Sequence, residues 1–192
     1  MSFYDELSKI DVDKFVSLVD SRTDADVERA IYKTTPRTVD DFAALISENA
    51  RKHYLDVMVQ EATQLTRKRF GRCVNMYLPL YLTNLCNNKC VYCGFSVMNK
   101  FKRVVLTMQE IEEELQAMNK MGYTNILLVS GENSHRAGMP YFREVLPLTK
   151  KYADYLQMEV QPLETEEYAE LKTLGLDAVS VYQETYHPGC YK

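Results

Sequence analysis

The sequence predicts an α/β protein: a helical leader over residues 1–71, followed over 72–192 by a parallel sheet whose short strands alternate with helices. Three observations carry this. Up to Phe70-Gly71 the apolar residues recur at helical spacing behind capping residues. After that point short apolar runs of strand character alternate with capped helical segments. Finally, 192 residues with 46% hydrophobic and 26% charged side chains suit a globular chain with a sizeable core, not a disordered or fibrous one.

In the leader, Thr23-Asp24-Ala25-Asp26 and Thr38-Val39-Asp40-Asp41 have the form of capping boxes with Asp in the place of Glu or Gln. Each opens a short amphipathic helix. Tyr54, Met58, Ala62 and Leu65 recur at helical spacing and predict one longer helix from about Glu48 to Arg69. The Arg67-Lys68-Arg69 run suits its C-terminal dipole, and Gly71 stops it. Val74 to Thr83 is the first predicted strand, and Pro79 points to an edge position because proline lacks the ladder N–H. Thr107-Met108-Gln109-Glu110 is a full capping box for a helix ending at Gly122, and Asn125 to Val129 is the second strand. A helix then starts near Pro140, where proline fits the first turn. Leu156 to Val160, Glu166 to Leu174 closed by Gly175, and Ala178 to Tyr182 complete the alternation as strand, helix and strand. Such an alternation builds either an open doubly wound sheet or an arc of a barrel. Both place their chemistry at the carboxyl ends of the strands.

The net charge of −4 gives no sign of the clustered Lys/Arg face that nucleic-acid phosphates require. No apolar run is long enough to span a bilayer and the N-terminus lacks a signal pattern, so no membrane is expected and the expected location is cytoplasmic. Five cysteines, an odd number, argue against a disulfide framework and for free, metal-binding or catalytic thiols. His53 and His135 have no partner at metal spacing and receive no role. Cys73 and Cys190 stand apart as bystanders, and the nine methionines are dispersed as core filler.

The remaining three thiols form Cys86-Asn87-Asn88-Lys89-Cys90-Val91-Tyr92-Cys93, on the loop leaving the first strand. Three readings follow from spacing and position. Chance reduced cysteines are one; a zinc site is another, although structural zinc takes four ligands and the usual second pair is missing. The third is an iron–sulfur cluster held by three cysteines, which leaves one iron open to bind a substrate.

The trio, with Tyr92 before its last member and Gly94-Phe95 after it, resembles the signature of the radical S-adenosylmethionine superfamily. Pro79 to Cys86, Gln157 to Leu163 and Val181 to His187 look like its aromatic-amino-acid lyase branch. Asp26 to Ala30 and Leu65 to Gly71 are similar to the tyrosine lyases of thiazole biosynthesis. The fold that this resemblance implies is a partial (β/α)6 TIM-like barrel, of which residues 72–192 would supply about the first four strands. The implied cofactors are a [4Fe-4S] cluster on Cys86, Cys90 and Cys93 and S-adenosyl-L-methionine on its open iron. The implied reaction passes one electron into the sulfonium, frees a 5′-deoxyadenosyl radical, takes a hydrogen from L-tyrosine and cleaves Cα–Cβ to 2-iminoacetate and p-cresol. An electron donor of flavodoxin or ferredoxin type and a thiazole synthase are the implied partners.

By the same resemblance Ser130-Gly131-Glu132 occupies the place of a Gly-Gly-Glu element that meets the amino group of the cofactor, with Ser130 in place of the first glycine. Gly131 equally suits a plain tight turn. Tyr92, Gly94 and Phe95 are implied to lie near the cofactor, with aromatic packing under a loop as the alternative, and Glu159 is implied to face its ribose. Tyr81, directed away from Leu80 and Leu82 by alternation, is a substrate or core residue, and Gln183, Glu184 and Tyr186 are candidates for the substrate wall. A hydrogenase-maturation lyase and a non-catalytic iron–sulfur or zinc module are the competing readings. Four strands and three helices cannot close a barrel, so the chain is expected to be a C-terminally truncated part of a longer enzyme.

Overall fold

The computed structural model describes residues 3–186 and Gly189. His187 and Cys190 therefore lie outside the described residues. The chain divides into two compact units, Met1–Cys73 and Val74–Lys192.

The first unit is helical: α1 (Phe3–Leu7), α2 (Val12–Asp20), α3 (Asp24–Ile31), α4 (Val39–Leu45), a π-helical turn over Ala50–Tyr54, and α5 (Leu55–Phe70). Both predicted capping boxes are present. The Thr23 and Thr38 hydroxyls accept from the amides of Asp26 and Asp41, and each aspartate accepts from the threonine amide in return. Val27, Ala30, Ile31, Ala44 and Ala50 form a small core, against which Leu45, Tyr54, Val57 and Met58 pack. The long helix expected over 48–69 is present as a continuous helical run over residues 48–70, with a π turn inside it whose extra residue shifts the helical phase. The expected stripe keeps one face: Tyr54 and Met58 pack on this core together with Val57, and Met58, Ala62 and Leu65 line an open cavity of about 520 Å³ with Ile31 and Leu45.

The second unit holds β1 (Leu78–Thr83), α6 (Met108–Lys120), β2 (Asn125–Ser130), α7 (Met139–Lys150), β3 (Tyr155–Glu159), α8 (Thr165–Thr173) and β4 (Ala178–Val179). All strand pairs are parallel and the order is β1-β2-β3-β4. This strictly sequential order has no switch point, so the sheet is an arc of a barrel and not a doubly wound sheet. Alternation sends Leu80, Leu82, Ile126, Leu128, Leu156 and Met158 to one face, where they pack with Ile111, Leu115, Phe142, Leu146 and Leu171 of the helices. Pro79 lies in an edge strand of this sheet, as predicted.

Two strands are shorter than expected. Register begins at Leu78↔Ile126, so residues 74–77 find no partner on the short β2, and Val74 is 79% exposed. β4 pairs only through Gln157↔Ala178 and Met158↔Val179, after which the chain leaves the sheet. The capping box of α8 had no Ser/Thr to announce it: Glu164 is the cap and pairs with Glu167.

Candidate active site

The strand ends gather the site. At the end of β1, Thr83 Oγ1 donates to the Val104 carbonyl at 2.6 Å and accepts from the Leu85 amide at 3.0 Å. Asn84 continues this neck, its Oδ1 accepting from the Val104 amide at 2.8 Å. Residues 84–104 thus leave the strand and return to it as one closed loop, and this loop carries the three thiols. Within it the Val97 amide donates to the Asn88 carbonyl at 2.8 Å, and the Phe95 amide donates to Cys93 Sγ at 3.4 Å.

The turn after β2 is stitched to the thiol loop. Gly131 donates its amide to the Thr83 carbonyl at 3.2 Å, and the Glu132 carbonyl accepts from the Asn87 amide at 3.0 Å. Asn133 Nδ2 donates to Asn87 Oδ1 at 2.9 Å. The approach is so close that a Cβ on Gly131 would stand 2.4 Å from the Leu85 carbonyl oxygen and 2.9 Å from the Cys86 Cβ. Here glycine is required by contact and not by its backbone conformation, since its φ is not positive.

These segments enclose a cavity of about 250 Å³. Its wall contains Cys86, Cys90 and Cys93, Tyr92 and Phe95 from the same loop, Ser130, Gly131 and Glu132 after β2, Glu159 at the end of β3, and Tyr81 and Glu184. Tyr81 stands on the face opposite to Leu80 and Leu82 and meets Phe95 edge to face, with ring centroids 5.9 Å apart. Ser130 is buried, and its Oγ lacks a hydrogen-bond partner among the described residues. Such a hydroxyl is satisfied at low cost only by something polar inside the cavity.

Three expected residues do not reach this wall. Gly94 is exposed, with nothing within 4 Å of the position of a Cβ. Gln183 donates its side-chain amide to the Thr185 carbonyl at 2.6 Å, and Tyr186 is 54% exposed. Conversely, Asn88, Val129 and Tyr182 line the cavity without having been singled out from the sequence. Tyr182 Oη donates to Glu132 Oε1. Burial pushes its hydroxyl pKa well up, and the Glu132 carboxylate and the Cys86 and Cys90 thiols add to the rise. The strand-end position of Tyr182 was the available signal; its partner, fifty residues away, was not visible.

Three thiols on one cavity wall form a soft donor set. Among the described residues no group of three His, Cys, Asp or Glu side chains is gathered around one ion. Thiolates are the usual ligands of iron–sulfur clusters, in which each thiolate takes its own iron.

The family model for the radical SAM superfamily matches residues 80–192. The chain belongs to the radical SAM superfamily. Membership implies an iron–sulfur cluster and S-adenosylmethionine as cofactors, and the match begins within β1 and spans the thiol loop. Among curated relatives of this superfamily chain, 2-iminoacetate synthase of Salmonella typhimurium strain LT2 is 47% identical over 190 residues, covering 99% of this chain and 50% of the relative. The 2-iminoacetate synthase of Escherichia coli strain K12 is 48% identical with the same coverage. The chain therefore spans about half the length of the curated relatives it matches. Among solved structures, HydG, a maturase of the [FeFe]-hydrogenase, superposes with a TM-score of 0.84 at 24% identity, over 92% of this chain and 40% of that one. This likeness concerns the fold. No helix among the described residues is long and apolar enough to cross a membrane.

Proposed function

We propose that this chain carries the cofactor-binding part of a cytoplasmic tyrosine lyase of 2-iminoacetate synthase type, with residues 72–192 as part of its barrel. The observation that carries the reading is the single cavity shared by the three thiols, the Ser130-Gly131-Glu132 turn and Glu159. The 47–48% identity to two 2-iminoacetate synthases supports that reading over the hydrogenase-maturation alternative, which also acts on an aromatic amino acid.

In this reading Cys86, Cys90 and Cys93 hold a [4Fe-4S] cluster, and S-adenosyl-L-methionine lies against the turn after β2. Together these cofactors supply, on reduction, a 5′-deoxyadenosyl radical able to take a hydrogen from bound L-tyrosine, after which Cα–Cβ cleavage yields 2-iminoacetate and p-cresol. The protein's own tasks are positioning and exclusion of water. Gly131 lets the turn approach the thiol loop, Glu132 offers a carboxylate to the cofactor ammonium, and Tyr182 orients that carboxylate through its hydrogen bond. The buried Ser130 hydroxyl is a further donor to the bound cofactor, and Glu159 is placed to accept from ribose hydroxyls. Tyr92 and Phe95, both on the cavity wall, would flank the adenine, and Tyr81 and Glu184 would belong to the substrate side, whereas Gly94, Gln183 and Tyr186 stand off this wall. An electron donor of flavodoxin or ferredoxin type and a consuming thiazole synthase complete the scheme.

Anaerobic reconstitution tests it. About four irons per chain, 5′-deoxyadenosine after reduction and p-cresol from added tyrosine are the expected results. Bound zinc with no cofactor cleavage would overturn it.

A further inference from the structure

We infer that Arg103 is a positioning residue for the cluster: one guanidinium shapes the thiol loop before iron is bound. Between β1 and α6 the chain has no helix or ladder beyond one bridge, Thr83↔Val105, so its carbonyls need partners from elsewhere. Arg103 supplies four bonds. Its Nη1 donates to the Asn84 carbonyl at 2.6 Å and the Phe95 carbonyl at 2.8 Å, and its Nη2 donates to the Ser96 carbonyl at 2.6 Å and the Asn99 carbonyl at 3.1 Å. The guanidinium carbon lies 4.0 Å from the Phe101 ring centroid, which fixes the plane of the fork.

The acceptors bracket the motif. Asn84 stands just before Cys86, and Phe95 and Ser96 stand just after Cys93, so the clasp ties the entrance of the thiol segment to its exit. Asn99, pinned by the same group, donates its side-chain amide to the Cys93 and Gly94 carbonyls at 3.3 and 3.0 Å and carries the constraint to the third thiol. Arg103 itself is absent from the cavity wall, so it acts through the loop and not on the reacting atoms. A planar, permanently charged fork can serve carbonyls on two sides at once, which the point charge of a lysine cannot. The consequence for iron rests on the cysteines being cluster ligands; the clasp itself belongs to the metal-free chain.

Hydrogen exchange on the metal-free wild type, Arg103→Gln and Arg103→Lys, followed by anaerobic iron–sulfide loading, tests both parts. The wild-type Val97 amide, which donates within the loop, should be protected, and both variants should lose protection there by about tenfold or more, with the Leu127 and Leu128 amides of β2 unchanged. Both should then bind less than about half the wild-type iron, lose it about tenfold faster and give an altered electron paramagnetic resonance signal when reduced. Wild-type protection and loading in either folded variant would overturn the proposal, as would a loosened loop that still holds a cluster with an unaltered signal. Should the variants lose β2 protection as well, the wild type decides: a Val97 amide exchanging at the rate of unstructured chain would refute the clasp. If the wild type binds no iron, the functional reading fails and the exchange result alone judges Arg103.

Discussion

A methyl group added at Gly131 would collide with the Leu85 carbonyl at 2.4 Å, a main-chain atom that cannot swing away. Gly131→Ala is therefore expected to push the turn after β2 off the thiol loop, destabilising the unit by about 1–3 kcal/mol and weakening S-adenosylmethionine binding about tenfold or more, as measured by urea titration and equilibrium dialysis. Replacing Cys86, Cys90 or Cys93 singly by alanine should abolish stable iron loading while Cys73→Ala, in the other unit, leaves it intact; iron and sulfide analysis decides. In the leader, the hydrogen bond from Lys33, followed by that from the Thr38 amide, holds the Asp41 carboxyl down at about 2 against an ordinary 3.8. A lowered folded-state value means stability that is present above the ordinary value and lost as pH falls toward 2. Asp41→Asn should thus destabilise the leader at neutral pH, and its deficit against wild type should shrink between pH 3.8 and about 2 in helical circular dichroism melts. The Thr38–Asp41 pair was legible in the sequence because its partners stand three residues apart. Tyr182 and Arg103 were not: Glu132 is fifty residues from one, and the partners of the other are carbonyls that every residue type possesses.

Helix termini were the most legible elements, since a cap is written within one turn. Thr107 closes its box with Glu110 on an exposed surface, so Thr107→Ala should cost about 1 kcal/mol in urea unfolding without changing the slope. Strand lengths were less legible. Residues 74–77 have strand-like composition, yet a strand extends only as far as its neighbour does, and β2 offers six residues. The π turn at Ala50–Tyr54 escaped notice for a related reason: a one-residue change of helical phase barely alters the apolar spacing but redirects everything after it. Phe142, fully buried where α7 meets the sheet, anchors the element packing, and Phe142→Ala should cost about 3–5 kcal/mol.

In the whole sheet, β4 is paired on one side only among the described residues, and Val181 beyond it is 69% exposed. An open parallel edge with apolar neighbours invites pairing with another chain. The isolated chain should accordingly self-associate with rising concentration in sedimentation velocity, and Val179→Lys, on β4 itself, should suppress this. A strictly monomeric wild type would count against it. The amino-acid sequence by itself determined the helical leader, the alternation of strands and helices, and the thiol trio with its spacing, because each is encoded by residues a few positions apart. The alternation alone left open whether the sheet was doubly wound or an arc, a choice to which only the family resemblance pointed, and it left open how far each strand ran and what held the thiol loop. Only the tertiary structure decided these, through the sequential strand order, the registers of β1 and β4, and the Arg103 carbonyl contacts. The physical reason is that pairing and closure depend on which distant backbone groups meet, and backbone groups are alike at almost every position.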